Sequence, residues 1–477
     1  MQRLLIGIVS KEDSAAAPVR SGQCDDSSQA GGVRLRAQRG VRLSKAVSST
    51  LDVPPAPTWP TTRCRERAKP SSLWEVAEVP RQGTQARQAH AAPDSPPSLT
   101  PGRVGWDRPA PRVLFVAAGG ERQASSRYRI YQFHDLLEQD GVSNDIFPWQ
   151  SDLPLAEERV QADELIEASR DYEVVYFHRV VLSRSAFRAV DCEILRRKAT
   201  VYDLDDAIYA VASPVLVEEE RVLAERSARS LRVAFRRMRR RLGGGVAFSE
   251  RRRPVERMFG SVDAVVAGNA VLAEVARRFC DRVYVAPTVL DVQEMPVKRP
   301  SDSGSVVVGW VGHADNLFYV EGVVPAFRAL RERYGDRVRF KVVSSAPLVA
   351  PGLEIENKAW ALDEETTDVL SFDVGIMPLT DDDWARGKCA FKALLYGALG
   401  IPAVVSPVGM NSEVVVEGET GYLADTIEEW TLKLGLLVDD SELRARLGSA
   451  ARRRVERNYS VEVALAQMHA AIRDVTG

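Results

Sequence analysis

Paired glycines, a strand-end histidine, clustered carboxylates and two lysines four residues apart are the groups in this sequence that could do chemistry. In Ala117-Ala118-Gly119-Gly120-Glu121 the glycines let the backbone approach a phosphate or sugar, and the next helix start offers N–H groups to an anion. A tight turn is the plain alternative. Arg127 and Arg129 fall in the first turns of that helix, where cations oppose the helix dipole. That placement favours an anionic partner over a solvated face. His178 directly follows the apolar run ending in Tyr176-Phe177. It serves structure, binds an acceptor or moves a proton. Asp203, Asp205 and Asp206 crowd one strand end, which is costly without a cation or hydrogen-bond donors. The Asp203/Asp205 pair could hold Mg²⁺ or Mn²⁺. The favoured reading is that Asp205 or Asp206 caps the following turn and walls a cleft.

A second set lies towards the C-terminus. Gly309-Trp310-Val311-Gly312-His313 ends an apolar run, so Gly312 and His313 stand where a ligand could approach the backbone. Lys388 and Lys392 fall on one helix face, with Lys388 near the helix start. Lysine plus helix N–H groups suits a diphosphate, and two solvated lysines are the alternative. Gly409, Met410, Asn411 and Glu413 form a loop opening another helix, where Asn411 or Ser412 caps it or binds a ligand. Arg221 to Arg257 is rich in arginine interleaved with apolar residues. It reads as a solvated helix or as one lying on an anionic membrane. Nucleic acid is disfavoured, because no regular aromatic interleaving offers a stacking platform.

These groups need elements to hold them. The 477 residues carry a formal charge of −2, which disfavours a globally basic nucleic-acid binder. That near-neutrality is a cancellation. Residues 1–111 hold half of the 26 prolines and about six more basic than acidic side chains, against about eight more acidic in the rest. No apolar period runs through 1–111, which reads as a disordered extension or a translated upstream segment without a fold. The other reading is a basic tether. Five scattered cysteines give neither a zinc spacing nor a disulfide framework, which suits a cytoplasmic setting. From Arg112 onward, strands and helices alternate. Strand candidates are 113–116, 174–177, 200–204, 264–267 and 283–286, then 306–311, 338–343, 372–376 and 402–405. Helices are expected over 125–139, after the cap Asn269, over 319–334, over 388–399 and through the last 50 residues. Such alternation implies two α/β halves with parallel sheets, over 112–296 and 304–458, followed by a helix over 459–477. Ligands of such sheets bind beyond the carboxyl ends of the strands, so a cleft between the halves is the expected site.

The run from Phe391-Lys392-Ala393-Leu394 through Gly400-Ile401-Pro402 to Val408-Gly409, with Glu413 and Gly418-Glu419-Thr420-Gly421, resembles the C-terminal signature of the group-1 (family-4) glycosyltransferases. Ser125-Ser126-Arg127-Tyr128-Arg129, Asp203-Leu204-Asp205-Asp206 and Ala267-Gly268-Asn269 are similar to one bacterial branch of that family. The resemblance implies the GT-B fold: two Rossmann-like domains facing across a cleft, with a last helix crossing back to the first. It further implies sugar transfer from a nucleotide-diphosphate sugar, with retention and no essential metal or cofactor. The donor would lie on the C-terminal domain, against Gly312, His313, Lys388, Lys392, Gly409, Met410, Asn411 and Glu413, with Gly119, Gly120 and Arg127 beside its phosphates. An unidentified glycan, lipid or small-molecule acceptor would lie on the N-terminal domain, near Asp205 and Asp206. His178, near the transferred sugar, and Lys392, against the leaving group's charge, would be the catalytic residues. Two glutamates usual in the family are replaced by Gly387 and Leu395, which leaves a binding scaffold without catalysis as one alternative. A metal-dependent transferase using Asp203 and Asp205 is the other. The expected location is the cytoplasm, with peripheral contact at the inner membrane face through 221–257, in cell-envelope or carbohydrate biosynthesis.

Overall fold

Among the described residues, twelve strands form two six-stranded sheets, and every pair of neighbouring strands runs parallel. The computed structural model describes residues 106, 109–210, 251–299 and 304–477. The expected extension over 1–111 lies almost wholly outside the described residues, and so does the arginine-rich stretch up to residue 250.

The first sheet contains β1 (Val113–Ala118), β2 (Asn144–Trp149), β3 (Val174–His178), β4 (Ala199–Leu204), β5 (Ala264–Ala267) and β6 (Val283–Val285), in the order β2-β1-β3-β4-β5-β6. The second contains β7 (Val306–Val311), β8 (Val338–Ser344), β9 (Glu356–Ala359), β10 (Val374–Met377), β11 (Ala403–Val405) and β12 (Gly421–Leu423), in the order β12-β11-β10-β7-β8-β9. Both are doubly wound, and this is the GT-B architecture. Strand order reverses between β1 and β3 in the first sheet and between β7 and β10 in the second. Loops leave those neighbouring strands in opposite directions there, so a crevice opens at their carboxyl ends.

Continuous apolar runs explain the central strands. Val113–Ala118 and Val374–Met377 are buried at every position, as strands covered on both faces must be. The edge strands differ. β2 is buried only at its end residues, Asn144 and Trp149, and contains Pro148, and β9 has no buried residue. Lacking a neighbour on one side, such strands tolerate proline and charge.

Several helices depart from expectation. The helix expected over 125–139 is broken into Ala124–Arg129, a 3₁₀ turn Tyr131–Phe133, and His134–Gln139. The break at Ile130 accompanies the inward turn of Arg129, which is buried. The helix expected from Lys388 starts at Phe391, because Ala390 takes a left-handed φ of 52°. Lys388 therefore lies in the preceding loop and does not share a helix face with Lys392.

The terminal helix Val461–Thr476 packs on β4, β5 and β6 of the first sheet. Ala464, Met468, Ala471 and Ile472 are its buried stripe. In its middle the buried His469 Nε2 lies 2.9 Å from Asp140, and near its C-terminal end Asp474 accepts from the Tyr284 hydroxyl at 2.8 Å. The helix Ser441–Asn458 stays with the second half, and its Arg452 donates to the carbonyls of Val292, Met295 and Ala398, bracing the link between halves.

Candidate active site

The switch point of the first sheet brings Gly119 and His178 together, since Ala117 pairs with His178 across β1 and β3. Gly119 has φ +91°, and a side chain there would also run into Gln123. This turn needs glycine, and it delivers the chain straight into the helix Ala124–Arg129. Gly120 has open space beside it.

That helix start presents Ser125. Its hydroxyl lies 2.7 and 2.6 Å from the two carboxylate oxygens of Asp205 and 3.1 Å from His178 Nε2. Asp205 also meets Arg179, at 3.3 Å. Burial alone would raise the Asp205 carboxyl, but the charge of Arg179, and then the His178 imidazole 3.8 Å away, hold it far below the usual range. Arg179 adopts φ +54°, a left-handed conformation unusual for a residue with a side chain. His178 is fully buried, and its Nδ1 has no partner among the described residues. The sequence names Ser125 only as part of the Ser125–Arg129 run, and gives neither it nor Arg179 a role in the site.

Asp203 points the other way. Arg129 donates to its two oxygens at 3.0 and 2.8 Å, and the Tyr176 hydroxyl adds a bond at 2.6 Å. All three side chains are buried. The carboxylate is thus an internal ion-pair partner, and the Asp203/Asp205 pair is not poised to share a metal. Arg129 is likewise no anion site, because its guanidinium is occupied by Asp203 and the Ala286 carbonyl. Asp206 caps its own turn, accepting from the Ala207 amide at 3.0 Å.

In the second half, β7 delivers Gly312 and the helix Phe391–Ala398 delivers Lys392. A Cβ on Gly312 would come within 2.8 Å of Lys392 Cε. The Lys392 ammonium lies over the Trp310 ring at 5.4 Å, and no ion pair or hydrogen bond holds it among the described residues. Burial and the neighbouring Lys388 lower its pKa to about 8. Lys388 itself sits 3.5 Å from Asp206 of the first half and over the Trp384 ring at 4.7 Å. His313 is exposed and turned to Asp315 at 3.2 Å. Gly409 has φ +54° in the turn before the helix Asn411–Val414. Asn411 donates to the Ser406 carbonyl at 3.0 Å, while its Oδ1 is buried without a partner among the described residues. Met410 is buried, and Glu413 is exposed.

The halves touch across this crevice. Arg127 reaches Glu365 at 3.2 Å, and the Tyr128 hydroxyl donates to the same oxygen at 3.4 Å. Asn269 caps its helix with Oδ1 and donates from Nδ2 to the Gly387 carbonyl at 3.0 Å. A Cβ on Gly387 would lie 2.4 Å from that of Ala207, so no side chain fits there in this arrangement. Leu395 is buried in the core. Neither position where the resemblance expects glutamate could present a carboxylate to the cleft.

A family model described as Glycosyl transferases group 1 matches residues 393–454. Spore coat protein SA of Bacillus subtilis (strain 168) is 37% identical over 65 residues, 13% of this chain and 17% of that relative's length. The chain thus spans about a sixth of the length of the curated relative it matches. Among solved structures, sucrose-phosphate synthase from Thermosynechococcus elongatus is similar with a TM-score of 0.55 at 13% identity, over 76% of this chain and 99% of that one. Anabaena HepE in complex with UDP and glucose gives a TM-score of 0.50 at 14% identity, over 76% and 100%. Residues 393–454 thus carry the group 1 glycosyl transferase signature, and the two sheets share the GT-B fold of these structures.

Proposed function

We propose that the protein transfers a sugar from a nucleotide-diphosphate sugar to a hydroxyl-bearing acceptor, with retention at the anomeric carbon and without a metal or cofactor, as a family-4 enzyme would. The carrying observation is Lys392: a half-buried ammonium beside Gly312, at the switch point of the second sheet, with no ion-paired counter-charge among the described residues, Asp206 and Glu365 acting on it only from farther off. A diphosphate supplies that charge. Lys388 and the N–H groups opening the helix at Phe391 lie close enough to share it, and the leaving group's growing charge is stabilised there. The donor's other neighbours would be Gly119, Gly120, His313, Gly409, Met410, Asn411 and Glu413, and Arg127 once it leaves Glu365. The acceptor would enter on the side of His178, Asp205 and Asp206. HepE, solved with UDP and glucose, supports a nucleotide-sugar donor for this fold.

Nucleotide release from a panel of UDP-, GDP- and ADP-sugars tests this reading. Release with one donor, lost in Lys392→Ala, is expected, and no release with any donor would sink it. A binding scaffold without catalysis is the second reading, favoured by Gly387 and Leu395 where carboxylates were expected. Calorimetry separates the two, because a scaffold binds donor without turnover. A cytoplasmic protein touching anionic membrane through 221–257 should bind anionic vesicles, and less so as salt rises.

A further inference from the structure

The cluster around Asp205 sets proton positions that the transfer reading leaves open. An ionised carboxylate only accepts hydrogen bonds. The Ser125 hydroxyl has one proton, and both Asp205 oxygens lie within 2.7 Å of it. That proton therefore goes to Asp205. The Ser125 oxygen is left with lone pairs, and the His178 Nε2 contact at 3.1 Å is satisfied only if Nε2 carries hydrogen. A neutral imidazole has one N–H, so Nδ1 then offers a bare lone pair. Nδ1 is buried and without a donor among the described residues. Buried acceptors are almost always paired, so one left open at a strand end in a ligand crevice points to a group that arrives with the ligand.

We propose that Ser125 is a positioning residue that fixes the His178 tautomer, holding Nε2 protonated so that Nδ1 accepts a hydroxyl of the bound sugar or acceptor. Arg179 is the second part of the device. Its contact with Asp205, kept despite a left-handed backbone, holds the carboxylate that anchors the chain Asp205–Ser125–His178. The ligand class that fits Nδ1 is a neutral hydroxyl, since a phosphate or carboxylate oxygen would oppose the lone pair. This rests on reading the cleft as a sugar-transfer site, but the tautomer is measurable without any transfer.

The chain has five histidines, so ¹⁵N-histidine labelling of the full protein gives a resolvable set, with His178→Gln assigning the signal. Long-range ¹H–¹⁵N correlations at neutral pH should show His178 with hydrogen on Nε2. Ser125→Ala should give a mixture of tautomers, and Ser125→Thr, which keeps the hydroxyl, should restore the single form. In turnover, Ser125→Ala should lower kcat by about 10- to 100-fold with donor KM nearly unchanged, and Ser125→Thr should recover most of it. A wild-type His178 protonated on Nδ1, or a tautomer indifferent to Ser125→Ala, overturns the proposal. The expected tautomer in a protein that turns over no donor supports the positioning role and strikes the transfer reading instead.

Discussion

Arg127 and Glu365 lie 3.2 Å apart, one on the first helix of the first half and the other in the second half, and both are largely shielded from water. Glu365 also accepts from Trp360 Nε1 at 2.9 Å, so its carboxylate is already oriented when Arg127 meets it. The pair ties the two sides of the cleft at a point beside the proposed diphosphate.

Breaking that pair should loosen the halves. Glu365→Gln keeps the shape but leaves Arg127 without its counter-charge, at an expected cost of about 1–3 kcal/mol. Denaturant unfolding of Arg127→Gln, Glu365→Gln and the double variant forms a cycle. A coupling of about 1 kcal/mol is expected, and purely additive single effects would mean the contact is incidental.

Lys392 should make donor affinity depend on pH. With its pKa lowered to about 8, the ammonium is present at neutral pH and lost above it. Calorimetry between pH 6.5 and 9.5 should show donor binding weakening through pH 8, and Lys392→Met should be weak and flat throughout. Stability moves the opposite way. The folded pKa lies below the unfolded value near 10.4, so between the two the unfolded chain binds more protons, and stability rises with pH there. The burial cost is in full force below pH 8. Lys392→Met should accordingly stabilise the ligand-free protein at pH 7, on the order of 1–3 kcal/mol.

Gly387→Ala should wedge the cleft. The added methyl falls 2.4 Å from the Ala207 Cβ, with backbone atoms of Ala207 close behind it. Overpacking of this kind costs about 1–3 kcal/mol, here relieved by parting the halves. Faster proteolysis near the cleft and turnover reduced at least about tenfold are expected, and wild-type kinetics would show that the contact is not part of the working state.

Asp203→Asn should unfold the first half more readily without touching any metal dependence. It leaves buried Arg129 uncompensated, which typically costs about 3–5 kcal/mol. Turnover of the wild type should be the same in EDTA. Activity lost in EDTA and restored by Mg²⁺ or Mn²⁺ would instead return Asp203 and Asp205 to the role of ligands.

The central strands were legible as apolar runs because they are buried on both faces. β2, β9 and β12 were not, because each is a sheet edge with a short or partly polar sequence. The residues that could line the cleft were legible as strand ends, since parallel topology sends those ends to one side. The pairing among them was not. Nothing in the spacing of Asp203, Asp205 and Asp206 says that the first is consumed by Arg129 in the core while the second turns to Ser125. Alternation alone would put these two on one face; they part because β4 ends at Leu204, which leaves Asp205 in the turn beyond it, where Ser125 arrives from 80 residues away. The left-handed turn at Ala390, which parts Lys388 from the helix of Lys392, carries no glycine to announce it.

The return of Val461–Thr476 to the first sheet gives this molecule two covalent passages between its halves, one near residue 300 and one near residue 460. A single tether would let one half swivel freely against the other. Two neighbouring passages act as the two pins of a door, leaving one axis on which the cleft can swing. They also mean that a chain ending at residue 458 would strip cover from β4, β5 and β6, so damage at the extreme C-terminus is felt in the half built from the beginning of the fold.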